Sequence, residues 1–311
     1  MVPCGQHPGM EHAKVGTGVE LCYEFRGAPP DPVVVLVAGL GRQLIGWDDA
    51  FCDLLVARGF RVLRFDNRDA GLSTHLDGGP AFDIAAARRG GRGAVAYTLD
   101  DMADDTVDLL DVLGIDHAHL VGTSMGGMIA QTIAIRHPSR VRSLCSIMST
   151  TGARDVAQPT PEAMAVVTRR PPADRSGYVD FELTNCRIVG SRGGLVDEAW
   201  RRARFEDFFD RGIDPAGTAR QIMAIVASGD RTAALGGVTV PTLVIHGDAD
   251  TLMPLDGGEA TARAVPGAEL LVIRDMGHEI PPIAQPEVVD AIVANARRAE
   301  HEAHHEQGAL R

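Results

Sequence analysis

Short, almost uninterrupted apolar runs alternate along the chain with stretches whose apolar residues recur every three or four positions. Val33-Val34-Val35-Leu36-Val37 is continuous and β-branched, as in a strand buried on both faces. Gly39 and Gly41 end it, and Trp47 to Arg58 follows with Phe51, Leu54 and Leu55 at helical spacing. Val19–Phe25 alternates apolar and polar positions, the mark of a half-buried strand, and Arg61–Phe65 is a short buried one. Thr98, with Asp101 three positions on, opens a helix whose stripe is Leu99, Met102, Val107, Leu110 and Leu113, stopped by Gly114. His119-Leu120-Val121 and Val141–Met148 read as strands, separated by a helix over Met128–Arg136. Strand, helix, strand, helix predicts an α/β fold with a mostly parallel, doubly wound sheet.

The rhythm breaks after Thr151. Residues 152–236 are mostly helical, with candidates at Pro161–Thr168, Asp197–Phe209 and Ala219–Ser228, separated by Pro171-Pro172 and Pro215. It resumes with strands at Thr242–Ile245 and Glu269–Ile273 and helices at Gly257–Ala264 and Pro286–Arg298. The expected organisation is a core of residues 17–151 and 237–300 with a helical cap, 152–236, inserted in it. Residues 1–16 read as a loose leader, 301–311 as a polar tail, and 72–97, rich in glycine and arginine, as a long loop.

Composition narrows the class. The chain has 311 residues, 45% hydrophobic and 23% charged, which excludes disorder and coiled coil as descriptions of the whole. A formal charge of −12 repels phosphate backbones, so nucleic acid is not an expected partner. The densest basic run, Arg88, Arg89 and Arg92 among glycines, reads as a solvated loop. The cysteines (Cys4, Cys22, Cys52, Cys145, Cys186) are odd in number and contain no CxxC pair, which suggests neither a disulfide framework nor a zinc site. No apolar stretch is long enough to span a bilayer. The chain therefore reads as a reduced, soluble, cytoplasmic protein.

The chemistry concentrates in Gly122-Thr123-Ser124-Met125-Gly126-Gly127, a G-x-S-x-G motif with an apolar strand before it and an apolar helix after it. A sharp strand-to-helix turn leaves no room for side chains beside the serine, and it lifts the hydroxyl to the positive end of the helix. Serine needs a base oriented by an acid. In chain order the acid and then the histidine should follow. His278 lies after the strand Glu269–Ile273, and both Asp248 and Asp250 lie after Thr242–Ile245, where spacing alone does not separate them. A tetrahedral oxyanion needs two backbone N–H donors. Met125, next to the nucleophile, is one, and the turn Ala38-Gly39-Leu40-Gly41 supplies the other, with Leu40 the expected donor.

From about Gly16 to Ala296 the chain resembles the α/β-hydrolase fold enzymes. The turn 38–41, Phe65-Asp66-Asn67-Arg68-Asp69-Ala70-Gly71-Leu72-Ser73, the elbow 122–127, His246–Asp250 with Pro254, and Gly277-His278 match that family in order. Asp66–Ser73 with Gly46-Trp47 also resembles a branch that includes aclacinomycin methylesterase and bacterial carboxylesterases. The resemblance implies Asp250 as the acid, at the last position of an HGxxD-like stretch. Ala38 departs from the family, where many members carry His before the oxyanion glycine. Epoxide hydrolases and haloalkane dehalogenases of this fold use Asp at the elbow, so Ser124 argues against both.

These readings lead to a serine carboxylesterase that cleaves a neutral, apolar small-molecule ester through an acyl-enzyme, with no cofactor and no metal. Perhydrolase or haloperoxidase activity and carbon–carbon bond hydrolysis use the same triad, and a ligand-binding receptor is the reading from another class. The tail sequence His301-Glu302-Ala303-His304-His305 fits H-E-x-x-H, but it lacks an apolar stripe and is read as a solvated helix end. Arg68 and Asp69 are expected to form a structural ion pair beneath the site. Trp200, Phe205, Phe208 and Phe209 are expected mainly to pack against the core, with an acyl-pocket role as the further option.

Overall fold

The β-branched run at 33–37 stands in the middle of an eight-stranded sheet. The computed structural model describes residues 9–16, 18–78 and 95–309, with side chains as far as residue 301. In chain order the elements are β1 (Met10–Lys14), β2 (Glu20–Arg26), β3 (Val33–Val37), α1 (Asp49–Val56) and β4 (Arg61–Phe65). Then come α2 (Leu99–Val112), β5 (Ala118–Thr123), α3 (Met125–Arg136) and β6 (Val141–Ile147). Next follow α4 (Pro161–Thr168), α5 (Arg175–Val189), α6 (Glu198–Arg211), α7 (Pro215–Ser228) and the short α8 (Thr232–Leu235). The chain closes with β7 (Thr242–Gly247), α9 (Leu255–Ala264), β8 (Glu269–Ile273) and α10 (Gln285–Ala309). The strand order is β1-β2-β4-β3-β5-β6-β7-β8, antiparallel at β1–β2 and β2–β4 and parallel from there on.

The two-residue period of β3 divides the core. Val35 and Val37 join the stripes of α2 (Leu99, Met102, Leu109) and α3 (Met128, Ile129, Ile133) on one face. Val34 and Leu36 meet α1 (Phe51, Leu55) and α10 (Val288, Ile292) on the other. Burying a Leu, Ile or Phe contributes about 1.5–3 kcal/mol, so helices on both faces explain why β3 carries no polar side chain. Among the described residues no helix is long and apolar enough to cross a membrane.

Several elements differ from the sequence reading. Residues 10–14, expected within a loose leader, form the edge strand β1, anchored by the buried Ala13 and Val15 and by the Tyr23 hydroxyl, which donates to Glu11 at 2.9 Å. A strand so rich in polar residues shows no apolar run. Helix α5 was not foreseen, and α7 begins at Pro215, which the sequence reading took as a separator. Proline at the first helical position costs nothing, because its missing N–H has no acceptor there. Helix α10 continues to Ala309, through most of the tail, since no breaker precedes Gly308. Residues 1–8 of the leader and 79–94 of the long loop, with Arg88, Arg89 and Arg92, lie outside the described residues, as do the side chains of the H-E-x-x-H motif after His301.

One buried titratable group carries a testable cost. His119 on β5 is 1% exposed, with Nδ1 2.9 Å from Ser143 Oγ and its ring edge-on to Phe60. Burial, aided by the charge of Arg142, lowers its pKa from 6.5 to about 4. The half-exposed Glu300 carboxylate, 3.6 Å from Nε2, does not offset that burial. As pH falls, the unfolded chain takes up this proton near 6.5, whereas the folded chain resists until about 4. Stability is therefore lost across that window, by roughly 3 kcal/mol for this group. Urea unfolding at pH 7 and pH 4 should show a smaller difference for His119→Gln than for the parent. Equal differences in the two proteins would mean that His119 is not the group responsible.

Candidate active site

Between β5 and α3 the backbone reverses so sharply that Ser124 takes φ 54° and ψ −119°, a strained conformation for a residue with a Cβ. A Cβ at Gly122 would lie 2.1 Å from the Gly126 carbonyl oxygen, and one at Gly126 would lie 2.1 Å from the Val37 oxygen. Both glycines are thus required by close backbone approach. The turn is held by Ser124 N–H, which donates to Ile147 O at 2.9 Å, and by the Ser149 hydroxyl, which donates to Ser124 O at 2.8 Å. Met125 is the first residue of α3, so its N–H has no acceptor within the helix.

Ser124, His278 and Asp250 come together at the carboxyl ends of the parallel strands. Ser124 Oγ is 3.0 Å from His278 Nε2, and His278 Nδ1 is 2.6 Å from Asp250 Oδ2. The other oxygen of Asp250 accepts the N–H groups of Leu252 at 2.9 Å and Met253 at 2.8 Å. Asp248 is exposed and accepts the Asp275 N–H at 2.6 Å, away from His278. His246 supports the loop that carries Asp250: its buried imidazole donates through Nε2 to Met253 O at 2.7 Å, and desolvation holds its pKa below the ordinary histidine value.

The turn 38–41 lies against the serine, with a Cβ built at Gly39 falling 3.3 Å from Ser124 Cβ. Two side chains fix this turn, Asn67 of the Phe65–Ser73 motif and Gln221, which the sequence did not mark. Asn67 Nδ2 donates to Ala38 O at 3.1 Å. Gln221, fully buried on α7, accepts the Gly41 N–H at 2.8 Å and donates to Arg68 O at 2.8 Å. Asp66 takes the Leu44 N–H at 2.6 Å and the Leu72 N–H at 2.9 Å, and pairs with Arg211 at 2.6 Å. A long-range set of this kind leaves no local spacing to find.

Arg68 and Asp69 do not pair with each other, contrary to expectation. Arg68 makes a two-pronged, buried ion pair with Asp105 of α2 at 2.5 and 2.6 Å. Asp69 receives two 2.8 Å bonds from Arg220 of α7 and one of 2.7 Å from the Tyr97 hydroxyl. Consecutive residues in a turn point apart, and each found its counter-ion on a different helix. Asp69, His75 and Asp214 also stand close enough to share a cation, but the Arg220 guanidinium already bonds both carboxylates.

Helices α4–α7 roof a cavity of about 410 Å³ that has Ser124 and His278 in its floor. Trp200, Phe205 and Phe208 line it, so these residues of α6 face the cavity as well as packing, while Phe209 turns to Tyr178. Arg42, Arg201 and Arg204, which the sequence did not mark as site residues, also line it. Their charges are offset in place. Arg42 pairs with Glu182 at 2.9 Å, Arg201 with Glu279, and Arg204 stands 3.5 Å from Asp48. The end of α5 also holds the loops that carry His278 and Asp250: Val189 O accepts the His278 N–H at 2.6 Å, and Ile188 O accepts the Thr251 hydroxyl at 2.9 Å.

Comparison with known proteins agrees with this architecture. Residues 32–282 match the family model described as alpha/beta hydrolase fold, and the chain belongs to that family. Rhodomycin D methylesterase from Streptomyces sp. (strain C5) is 28% identical over 309 residues, covering 90% of this chain and 96% of that protein. The 2-hydroxymuconate semialdehyde hydrolase of Pseudomonas sp. (strain CF600) is 32% identical over 185 residues, 58% of this chain and 62% of that one. Among solved structures, the enol-lactonase from Burkholderia xenovorans LB400 superposes with a TM-score of 0.70 at 26% identity, covering 94% of this chain and all of that chain.

Proposed function

We propose that this chain is a serine hydrolase that cleaves carboxylic esters through an acyl-enzyme, with Ser124 as nucleophile, His278 as base and Asp250 as the acid that orients it. The observation that carries the reading is the unbroken hydrogen-bonded series from Ser124 Oγ through His278 to Asp250, at the floor of a largely apolar cavity. Ser124 Oγ attacks the ester carbonyl carbon as its proton passes to His278 Nε2. The oxyanion is met by the N–H groups of Met125 and Leu40, each worth about 3 kcal/mol in the transition state. Collapse breaks the bond to the alcohol, which leaves with the proton from Nε2. Water then attacks the acyl carbon with His278 again as base, which frees the acid and restores Ser124. Asp250 keeps the proton of the neutral ring on Nδ1 and stabilises the imidazolium formed in each half-reaction.

Ester cleavage is placed first because the methylesterase relative aligns over 90% of this chain, and carbon–carbon cleavage is the second reading because 2-hydroxy-6-oxononadienedioate hydrolases align over 80–84% of it. The paired charges in the cavity wall support a neutral substrate. The test is a p-nitrophenyl series from acetate to octanoate, run beside a vinylogous 1,5-diketone, with acid-quenched mass spectrometry. Ester turnover with an acyl adduct on Ser124 is the expected outcome. Turnover of the diketone alone would transfer the protein to carbon–carbon hydrolysis. Binding without turnover of either would favour the receptor reading.

A further inference from the structure

The cavity above Ser124 has a neighbour. A second, of about 450 Å³, adjoins it, and the two share a wall that includes Leu40, Arg42, Glu182 and Asn185. Leu40 belongs to the turn 38–41 that lies against Ser124, and Arg42 follows it directly, so the second cavity meets the first beside the position of the scissile carbonyl. Glu182 and Asn185 are three positions apart on α5 and therefore share one helix face. Arg42 donates to Glu182 at 2.9 Å, and its guanidinium rests on the rings of Phe205 and Phe208. Both charges of the wall are thereby satisfied within it.

Asn185 is not. It is 3% exposed, and its Oδ1 has no hydrogen-bond partner among the described residues. A buried carbonyl left without a donor is costly, and a leucine of nearly the same size would avoid that cost. No protein group holds Oδ1 in one orientation, and the terminal torsion of asparagine is broad. The amide can therefore turn toward a ligand in either cavity without backbone movement.

We infer that Asn185 is a specificity-determining residue that accepts a hydrogen bond from a hydroxyl of the substrate. The substrate is then a two-part ester: one half apolar, beside Trp200 and Phe205, and the other uncharged and hydroxylated, against the wall of Arg42, Glu182 and Asn185. A charged group there would have to compete with an ion pair that is already made. This inference rests on the ester-hydrolase reading above and adds the substrate class to it.

The experiment compares butanoate esters of cyclohexylmethanol with those of its ring-hydroxylated analogues, the hydroxyl placed at each ring position in turn. The readout is the kcat/KM ratio of the best hydroxylated ester to the plain one, taken within each protein so that a general loss of activity cancels. The parent should favour the hydroxylated ester about tenfold, and the ratio should fall to near one in both Asn185→Leu and Asn185→Ala. A parent ratio near one at every ring position, or a ratio the variants leave unchanged, would overturn the assignment. Hydrolysis of p-nitrophenyl butanoate by the parent separates that failure from failure of the ester reading, in which this ester too would remain intact.

Discussion

Replacing Ser124 by alanine is expected to lower kcat on p-nitrophenyl butanoate by five to six orders of magnitude while leaving the fold intact, a loss of about the size seen when a serine nucleophile is removed elsewhere. The substitution keeps a Cβ at the strained backbone position, so it introduces no new conformational conflict. The bonds that hold the turn use the backbone N–H and C=O of residue 124 and survive. What disappears is the hydroxyl oxygen and its 3.0 Å contact with His278. Residual catalysis would come from the oxyanion donors and the cavity, which act on water attack directly. The check is paired: single-turnover kinetics together with thermal unfolding, plus labelling by a serine-reactive fluorophosphonate. More than about one per cent of parent activity in a folded variant, or continued labelling, would remove Ser124 from the reaction.

The elbow could be read in the sequence because its geometry forces composition. A Cβ at 122 or 126 would fall 2.1 Å from a backbone oxygen, so only glycine fits there, and that requirement is written into neighbouring positions. The core strands were legible for a similar reason, since a strand covered on both faces, such as β3, can carry almost nothing polar. The acid was not fixed by spacing, because Asp248 and Asp250 belong to one turn. Their surroundings differ through contacts far along the chain, His278 with Asp250 across 28 positions and the Asp275 N–H with Asp248.

The features the sequence hid are those that depend on distant partners. Gln221 braces the turn 38–41 from α7, at a position that no local pattern marks, and Asn67, inside a quoted motif, carried no sign of its contact with Ala38. Helix α5 was missed because the face it turns to the cavities carries Glu182 and Asn185, which interrupt the apolar stripe a surface helix normally shows. The same interruption is what gives the cavity wall its hydrogen-bonding character. The arginines of the cavity were invisible as pocket residues because each is matched by a carboxylate far away in the chain, from Arg42 and Glu182 to Arg204 and Asp48.

Asp250→Asn should cost about four orders of magnitude in kcat, the scale of the same change in a serine protease triad. The reason is the proton on the imidazole rather than charge alone. Asp250 Oδ1 is occupied by the N–H groups of Leu252 and Met253, so an asparagine keeps its carbonyl oxygen there and presents its NH₂ to His278. A donor facing Nδ1 drives the ring proton to Nε2, the nitrogen that must accept the proton of Ser124. Catalysis fails because the base is in the wrong tautomer, although the three side chains keep their places. Asp248→Asn is the control. Its side chain is exposed and needs only a carbonyl oxygen to accept the Asp275 N–H, which asparagine retains, so kcat should stay within about twofold of the parent. Measuring both variants on one ester gives a clean division. A large loss at 248 with little at 250 would move the acid to Asp248, and small losses at both would mean that His278 works without a carboxylate partner.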